Sequence, residues 1–406
     1  MPEAVICAYR RSPIGRAFRG SMTEMRPDDL SAVIIRAALA QIPGLDPADI
    51  DDLMLGCGLP GGEQGFNLGR VAAILLGLDR LPGVTLTRYC ASSLQTTRMA
   101  YHAVKAGEGE VFISAGVEMV SRYVTGHSDS LPGTRNSRFE EAERRSEERG
   151  RGGAEEWCDP RGWGALPDVY IAMGQTAENV AQLRNVSRQE QDEFACRSQR
   201  LYAKAFADGF WEHEIEPITL PNGQVLSQDD SPRTNTAIER LAELRPVFRR
   251  DGTVTAGNSC PLNDGAAAVI VMSDGKAREL GVTPLGRIVS TGVSALSPEI
   301  MGLGPVEASL QALQRAGMTI DDVDLVELNE AFAAQAIASY RDLGVDLDKL
   351  NVHGGSIALG HPFGMSGARL TGTLLNGLQS EDGSVGLATM CAGGGQGMAM
   401  IVERLS

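Results

Sequence analysis

Two segments far apart in this chain carry one pattern. GLDPADIDDLML (44–55) and GMTIDDVDLVEL (317–328) both open on Gly, place Asp sixth and eighth around an aliphatic residue, and close on Leu. Each follows a helix-like run and leads into a strand-like one, so the chain reads as a duplicated α/β unit. A second echo points the same way: Y-C-A-S-S-L-Q (89–95) and M-C-A-G-G-G-Q (390–396) both read Cys-Ala-x-x-x-Gln. The offsets, 273 and 301 residues, differ, so the second half must hold extra chain if both echoes stem from one duplication. Around them, β-like runs (AVICAYR, DLMLGC, GVTLTRY, EVFISAGVE) alternate with helix-like ones (PDDLSAVIIRAALAQI, SSLQTTRMAYHAVKAG). That alternation predicts an α/β fold.

The alternation breaks between residues 121 and 253. GTRNSRFEEAERRSEERGRGGAEEWCDPRGWG is charged and Gly-rich, a poor core element. We read 1–120 as the first part of an N-terminal half and 121–253 as an inserted loop or lid domain. Residues 254–284 then complete that half, and 285–406 form the C-terminal half. With 406 residues, 43% hydrophobic and 22% charged, there is material for a large core. The net charge of −15 argues against nucleic acid or an anionic membrane as the main partner. No apolar run approaches the ~18 residues of a membrane span, and MPEAVICAYRRSPIG reads as a strand rather than a signal peptide. The seven cysteines are dispersed, without a C-x-x-C pair. A disulfide framework or metal site fits poorly, and a reducing cytoplasm is the expected compartment.

Among those cysteines, Cys90 ends a predicted strand and opens a predicted helix. The positive end of a helix dipole favours a thiolate there, although a lone cysteine in such a place is more often small core filler. Cys391 also follows a strand but leads into Gly393, Gly394 and Gly395. Bare backbone would let N–H groups approach a substrate oxygen. A phosphate loop would want a Lys or a G-x-G-x-x-G that opens a helix, and neither is present. Of the five histidines, His102 lies about three turns along the helix from Cys90, and His127 falls in the insertion. His361, between Gly360 and Pro362, is held on a turn, with His353 its competitor in the same loop. Asn329 and Glu330 sit at a strand-to-helix junction, where a polar side chain is as often an N-cap.

Taken together, Y-C-A-S-S (89–93), N-E-A-F (329–332), G-H-P (360–362) and C-A-G-G-G (391–395) resemble, in order, the active-site motifs of the thiolases. T-A-G-N (255–258), N-D-G-A-A-A (263–268) and M-G-x-G-P (301–305) extend the resemblance over the whole chain. It implies a five-layered αβαβα fold of two duplicated halves. It implies an acyltransferase that cleaves 3-ketoacyl-CoA with CoA, or condenses two acetyl-CoA, through a covalent acyl-enzyme. By the same resemblance Cys90 is the nucleophile, His361 its base and Cys391 the acid/base at C2. Asn329 holds a water for the enolate oxygen, and Gly393 donates its N–H to an oxyanion. Arg233, Met173, Ala256, Cys260 and Met301 match positions that contact coenzyme A, a substrate rather than a permanent cofactor; no metal is implied. Homodimers or homotetramers are the family habit.

Three positions depart from the family pattern. Ala172 stands where biosynthetic members have His, which leans towards a degradative enzyme. Cys260 replaces a Ser near the pantetheine arm, and His353 replaces an Asn. The related β-ketoacyl synthases use one catalytic cysteine, so Cys391 argues against that class. A non-catalytic acyl-CoA carrier would not need four intact motifs.

Overall fold

The structure, a computed structural model, describes residues 1–125, 133–153, 156–233 and 235–406; His127 lies outside them. Nine strands carry the architecture. They are β1 (Ala4–Arg11), β2 (Asp52–Cys57), β3 (Gly83–Leu86), β4 (Val111–Met119), β5 (Asn263–Ser273), β6 (Gly286–Ala295), β7 (Leu325–Leu328), β8 (Val385–Ala392) and β9 (Gln396–Arg404). They run side by side as β7-β8-β9-β6-β1-β5-β4-β2-β3. The path is two half-sheets, joined where β1 meets β6 through only Val5↔Arg287 and Ile6↔Gly286.

Each half-sheet repeats one plan. In the first, β2 runs parallel to β3 and β4, β4 antiparallel to β5, and β5 antiparallel to β1. In the second, β7 runs parallel to β8, β8 antiparallel to β9, and β9 antiparallel to β6. The counterpart of β3 has shrunk to a single parallel bridge, Val326↔Leu350. The segments 44–55 and 317–328 thus lead into equivalent strands.

The second echo does not mark equivalent places. Cys90 follows β3, whereas Cys391 lies on β8, whose neighbours match those of β4. The offset of 273 residues takes Cys391 to Glu118, near the end of β4. Glu118 pairs with Gly265 as Cys391 pairs with Gly397. The turn that corresponds to Cys90 is the one holding His361. Three matching letters in a six-residue stretch can arise twice; a strand's neighbours in a sheet are much harder to imitate.

Helices α1 (Pro27–Leu39), α2 (Ser92–Ala106), α3 (Met173–Leu183), α4 (Arg188–Ala207), α5 (Gly304–Ala316), α6 (Ala333–Leu343) and α7 (Ser366–Ser380) pack around this sheet. Their ends follow local rules. Pro27 opens α1 with Asp28 and Asp29 in its first turn. Ser187 and Glu190 form a capping box on α4. Gly107 and Gly317 close α2 and α5 in the left-handed conformation. Side chains alternate along the strands between separate cores. Val269 and Val271 join Leu94, Leu370 and Met400 in the central core, between the half-sheets, where α2 packs on α7. Ile270 and Met272 join Leu30 and Ile34 of α1, while Ala399 and Ile401 join Ala308 and Ala312 of α5. Helix, sheet, helices, sheet, helix: five layers follow from period-two alternation.

Adjacent β4 and β5 are separated in sequence by the insertion. Its charged stretch forms a helix, Glu140–Gly150, that buries only Ala142.

Candidate active site

Cys90 reaches its place through a sharp local turn. Tyr89 has φ +45°, a conformation that costs a non-glycine residue ~1–3 kcal/mol. Ser92 stabilises the turn, accepting from the Arg88 N–H at 2.9 Å and donating to the Tyr89 carbonyl at 2.6 Å. Cys90 therefore stands just before α2, on a cavity of about 300 Å³. The cavity is lined also by Gly58, Leu59, Tyr89, Arg135, Tyr170, Met173, Phe363, Gly393 and Gly394.

The glycine turn after β8 closes one side. Gly394 and Gly395 have φ +74° and +78°, and a Cβ on Gly395 would lie 2.3 Å from the Leu296 carbonyl oxygen. This sets Gly393 and Gly394 on the cavity beside Cys90. Cys391, at the end of β8, is fully buried among Ala177, Val254, Met301, Ala331 and Phe332.

The thiol's protonation runs against the helix-dipole expectation. Burial, reinforced by the charge of Glu118, pushes Cys90 from its ordinary 9.0 up to about 12, with the Gly393 N–H opposing. A helix terminus is worth ~0.3–1 kcal/mol, less than one pKa unit of 1.36 kcal/mol, so burial wins. Cys391 is raised further by burial and by its neighbours Cys90 and Cys260. Neither thiol is a thiolate at rest.

His361 is built to stay neutral. Burial, then the charge of Arg369, lowers it to about 3. Its main-chain N–H donates to Asn263 at 2.9 Å, and Gly360 before it has φ +116°. Ser366 donates its hydroxyl proton to the Pro362 carbonyl at 2.8 Å. The 2.6 Å contact between His361 Nδ1 and Ser366 Oγ is therefore an Nδ1–H donation, which leaves Nε2 as the acceptor. Asn329 Nδ2 donates to Nε2 at 3.2 Å, and Asn329 Oδ1 accepts from Ser356 at 2.7 Å. Arg369 donates to Ser356 at 2.9 Å and to Glu327 at 3.1 Å. Burial pushes the Glu327 carboxyl up to about 8 against the pull of Arg369.

Other expected residues fall as follows. Met173 opens α3 on the cavity. Arg233 lines a second hollow of about 420 Å³ with Thr236, Arg240, Leu241 and Leu244. Ala256 is exposed beside Gly257, where a Cβ would meet Leu241 and Leu244. Cys260 donates its N–H to the Ala331 carbonyl at 3.1 Å. Met301 is buried beside Cys391 rather than open to the cavity. His353 stacks on Phe210 at 3.7 Å and meets Ser380, away from the cavity lining. Neither Asn329 nor Glu330 caps a helix: α6 starts at Ala333. Glu330 accepts from Ser198, Asn351 and the Ile357 N–H, tying down the 351–357 loop. Ser366, Ser356, Arg369 and Glu118 were not singled out in sequence. Only Glu118 carried a signal, the 273-residue offset from Cys391. Among the described residues no group of three or more His, Cys, Asp or Glu could hold a metal ion.

Comparison with known proteins accounts for this arrangement. Residues 4–275 match the thiolase N-terminal domain model, and 282–404 the thiolase C-terminal domain. The chain belongs to the thiolase family. This thiolase is 42% identical to the 3-oxoadipyl-CoA/3-oxo-5,6-dehydrosuberyl-CoA thiolase of Escherichia coli (strain K12), covering all of both chains. It is 40% identical to the 3-ketoacyl-CoA thiolase of Bacillus subtilis (strain 168), over 99% of this chain and all of the other. Its fold matches human mitochondrial 3-ketoacyl-CoA thiolase in complex with CoA at TM-score 0.86 and 36% identity. That match covers 100% of this thiolase and 98% of the human chain. The thiolase is an acyltransferase, with CoA thioester chemistry as its business.

Proposed function

We propose that this enzyme cleaves 3-ketoacyl-CoA by thiolysis, with Cys90 as nucleophile, His361 as its base and Cys391 as the acid/base at C2. The observation that carries the reading is Cys90 facing Gly393 and Gly394 in one cavity, walled by Leu59, Tyr170, Met173 and Phe363.

A thiol near 12 and an imidazole near 3 do not form an ion pair at rest. The proton therefore leaves Cys90 for His361 Nε2 as sulfur bonds to the C3 carbonyl carbon. The oxyanion that forms lies within reach of the N–H groups of Cys90 and Gly393, and removal of one such donor costs ~10²–10³ in rate. Breakage of C2–C3 leaves the acyl group on Cys90. The C2 carbanion of the departing acetyl-CoA takes the Cys391 proton, with its enolate oxygen facing His361 and an Asn329-held water. His361 passes the proton it took from Cys90 to the Cys391 thiolate and is neutral again. It then takes the thiol proton of free CoA as that sulfur attacks the acyl thioester, and returns it to Cys90 as the shortened acyl-CoA leaves. Run backwards, the same steps condense two acetyl-CoA.

Arg233 and Arg240, the cations of the second hollow, suit the phosphates of CoA. Met173, Ala256 and Cys260 would serve the path from there to Cys90, while Met301 packs on Cys391, with residues 121–253 as lid between the halves 1–120 plus 254–284 and 285–406. A second copy of the chain fits the edge strand β3, whose packed helix Leu68–Leu75 exposes Ile74 and Leu75 beside exposed Phe66. Cytoplasmic residence suits seven free thiols, and no helix of the described residues is long and apolar enough to cross a membrane.

A split between half-reactions tests the roles. Cys90→Ala should abolish both thiolysis and acyl exchange between acetyl-CoA and free CoA. Cys391→Ser should keep that exchange but lose deuterium incorporation at C2 of acetyl-CoA. Equal thiolysis by wild type and Cys90→Ala across acyl lengths would rule out the nucleophile.

A further inference from the structure

Glu118 is fully buried, and none of the steps above uses it. Six donors converge on its carboxylate, all of them neutral. Oε2 accepts from the Gly58 N–H at 2.7 Å and the Gly364 N–H at 2.8 Å. Oε1 takes the Leu59 N–H at 3.2 Å, Gln64 Nε2 at 2.9 Å, the Tyr123 hydroxyl at 2.7 Å and, at 3.8 Å, the Cys57 thiol. Gly58 and Leu59 continue β2 of the first half, whereas Gly364 lies three residues beyond His361 in the second. A single carboxylate oxygen thus joins the two halves. The joint sits at the cavity: Gly58, Leu59 and Phe363 line it with Cys90. The fit is close, for a Cβ on Gly58 would lie 2.6 Å from Oε2 and 2.7 Å from Phe363 Cβ.

We propose that Glu118 is a positioning residue of the reaction, whose carboxylate pins the two walls of the acyl cavity, Gly58–Leu59 and Phe363–Gly364, at a fixed spacing beside Cys90. It deepens the thiolase reading and rests on it for the acyl substrate. An N–H donor to a carboxylate is a charge-assisted bond, and a carboxylate accepts several at once; a neutral amide has one acceptor oxygen and would turn its NH₂ onto the remaining donors. A shorter carboxylate keeps the charge but loses the span. The two loops should then part, and long acyl chains, which touch Leu59 and Phe363, should suffer before short ones. The carboxylate also places negative charge near Cys90, where it helps to hold the thiol protonated.

Two readouts separate positioning from bulk stability. The first is kcat/KM for acetoacetyl-CoA against 3-ketodecanoyl-CoA. The second needs no turnover: the ratio of Cys90 alkylation rates by anionic iodoacetate and neutral iodoacetamide, read on the Cys90 peptide by mass spectrometry. In Glu118→Gln we expect the long-chain to short-chain ratio to change by about tenfold, the scale of one charge-assisted hydrogen bond. The iodoacetate preference should rise severalfold, because a nearby negative charge is gone. In Glu118→Asp the chain-length ratio should shift while the alkylation ratio stays at wild type. If Glu118→Gln does not fold, Glu118→Asp carries the test alone. A folded variant with the wild-type chain-length ratio overturns the proposal. Absence of thiolysis by the wild type would instead sink the functional reading, and the alkylation ratio would still report on the charge at Glu118.

Discussion

Ser366 takes the Nδ1 proton of His361 into a 2.6 Å hydrogen bond while giving its own proton to the carbonyl of Pro362. That arrangement sets the tautomer of the imidazole. Ser366→Ala removes the acceptor, so the ring can turn its protonated nitrogen towards Asn329 and the substrate. We expect kcat for thiolysis to fall by about one to two orders of magnitude, with KM for the ketoacyl-CoA little changed. A steady-state assay with a folding check by circular dichroism decides it; unchanged kcat means the tautomer is held elsewhere.

Arg369 is the charge that, after burial, depresses His361. In Arg369→Met the imidazole should gain protons at higher pH, and the acidic limb of kcat/KM should move up from near pH 3 towards neutrality. The sign for stability follows from linkage. An unfolded histidine protonates near ~6.5, while native His361 resists until about 3. Unfolding therefore takes up a proton between those values, and the stability present above ~6.5 is lost as pH falls towards 3. Arg369→Met should flatten this His361 contribution while lowering overall stability, because Glu327 and Ser356 lose a buried hydrogen-bond donor. Denaturant titrations at pH 7 and pH 5 for both proteins measure the difference.

Gly395 is packed against backbone, whereas Gly393 faces a ring. A Cβ on Gly395 would meet the Leu296 carbonyl at 2.3 Å and Pro298 N at 2.7 Å; on Gly393 it would meet Tyr89 ring atoms at 3.2 Å. Tyr89 is 41% exposed and can yield. Gly395→Ala should cost at least ~2 kcal/mol, from left-handed φ plus overpacking. Gly393→Ala should fold normally and lose turnover through crowding over Cys90. Equal denaturation midpoints for the two variants would contradict this.

How much of this was legible in the sequence differs from residue to residue. The α/β alternation and the 44–55 and 317–328 pair point to the repeated half-sheets, because hydrophobic periodicity is local. Cys90, Asn329, His361 and Cys391 announce themselves because each sits in or beside a short turn whose neighbours are unusual. The Cys-Ala-x-x-x-Gln echo misled, since resemblance within one turn says nothing about strand order. The protonation of Cys90 was also misjudged, since a helix terminus is visible in sequence and burial is not. The contact between Glu118 and Gly364 spans 246 residues. Ser356 and Arg369 act on His361 only through Asn329 and through space. Such partners are set by how the halves dock, which no local pattern records.

The narrow seam, Val5↔Arg287 and Ile6↔Gly286, has a consequence for how the two halves depend on each other. One half supplies Cys90, and the other supplies His361, Asn329, Cys391 and Gly393. On the proposed roles, neither half alone holds a complete reaction. Turnover is in that sense a gauge of docking: a chain cut in the loop near residue 284 and co-expressed as two fragments would regain activity only as the fragments found each other.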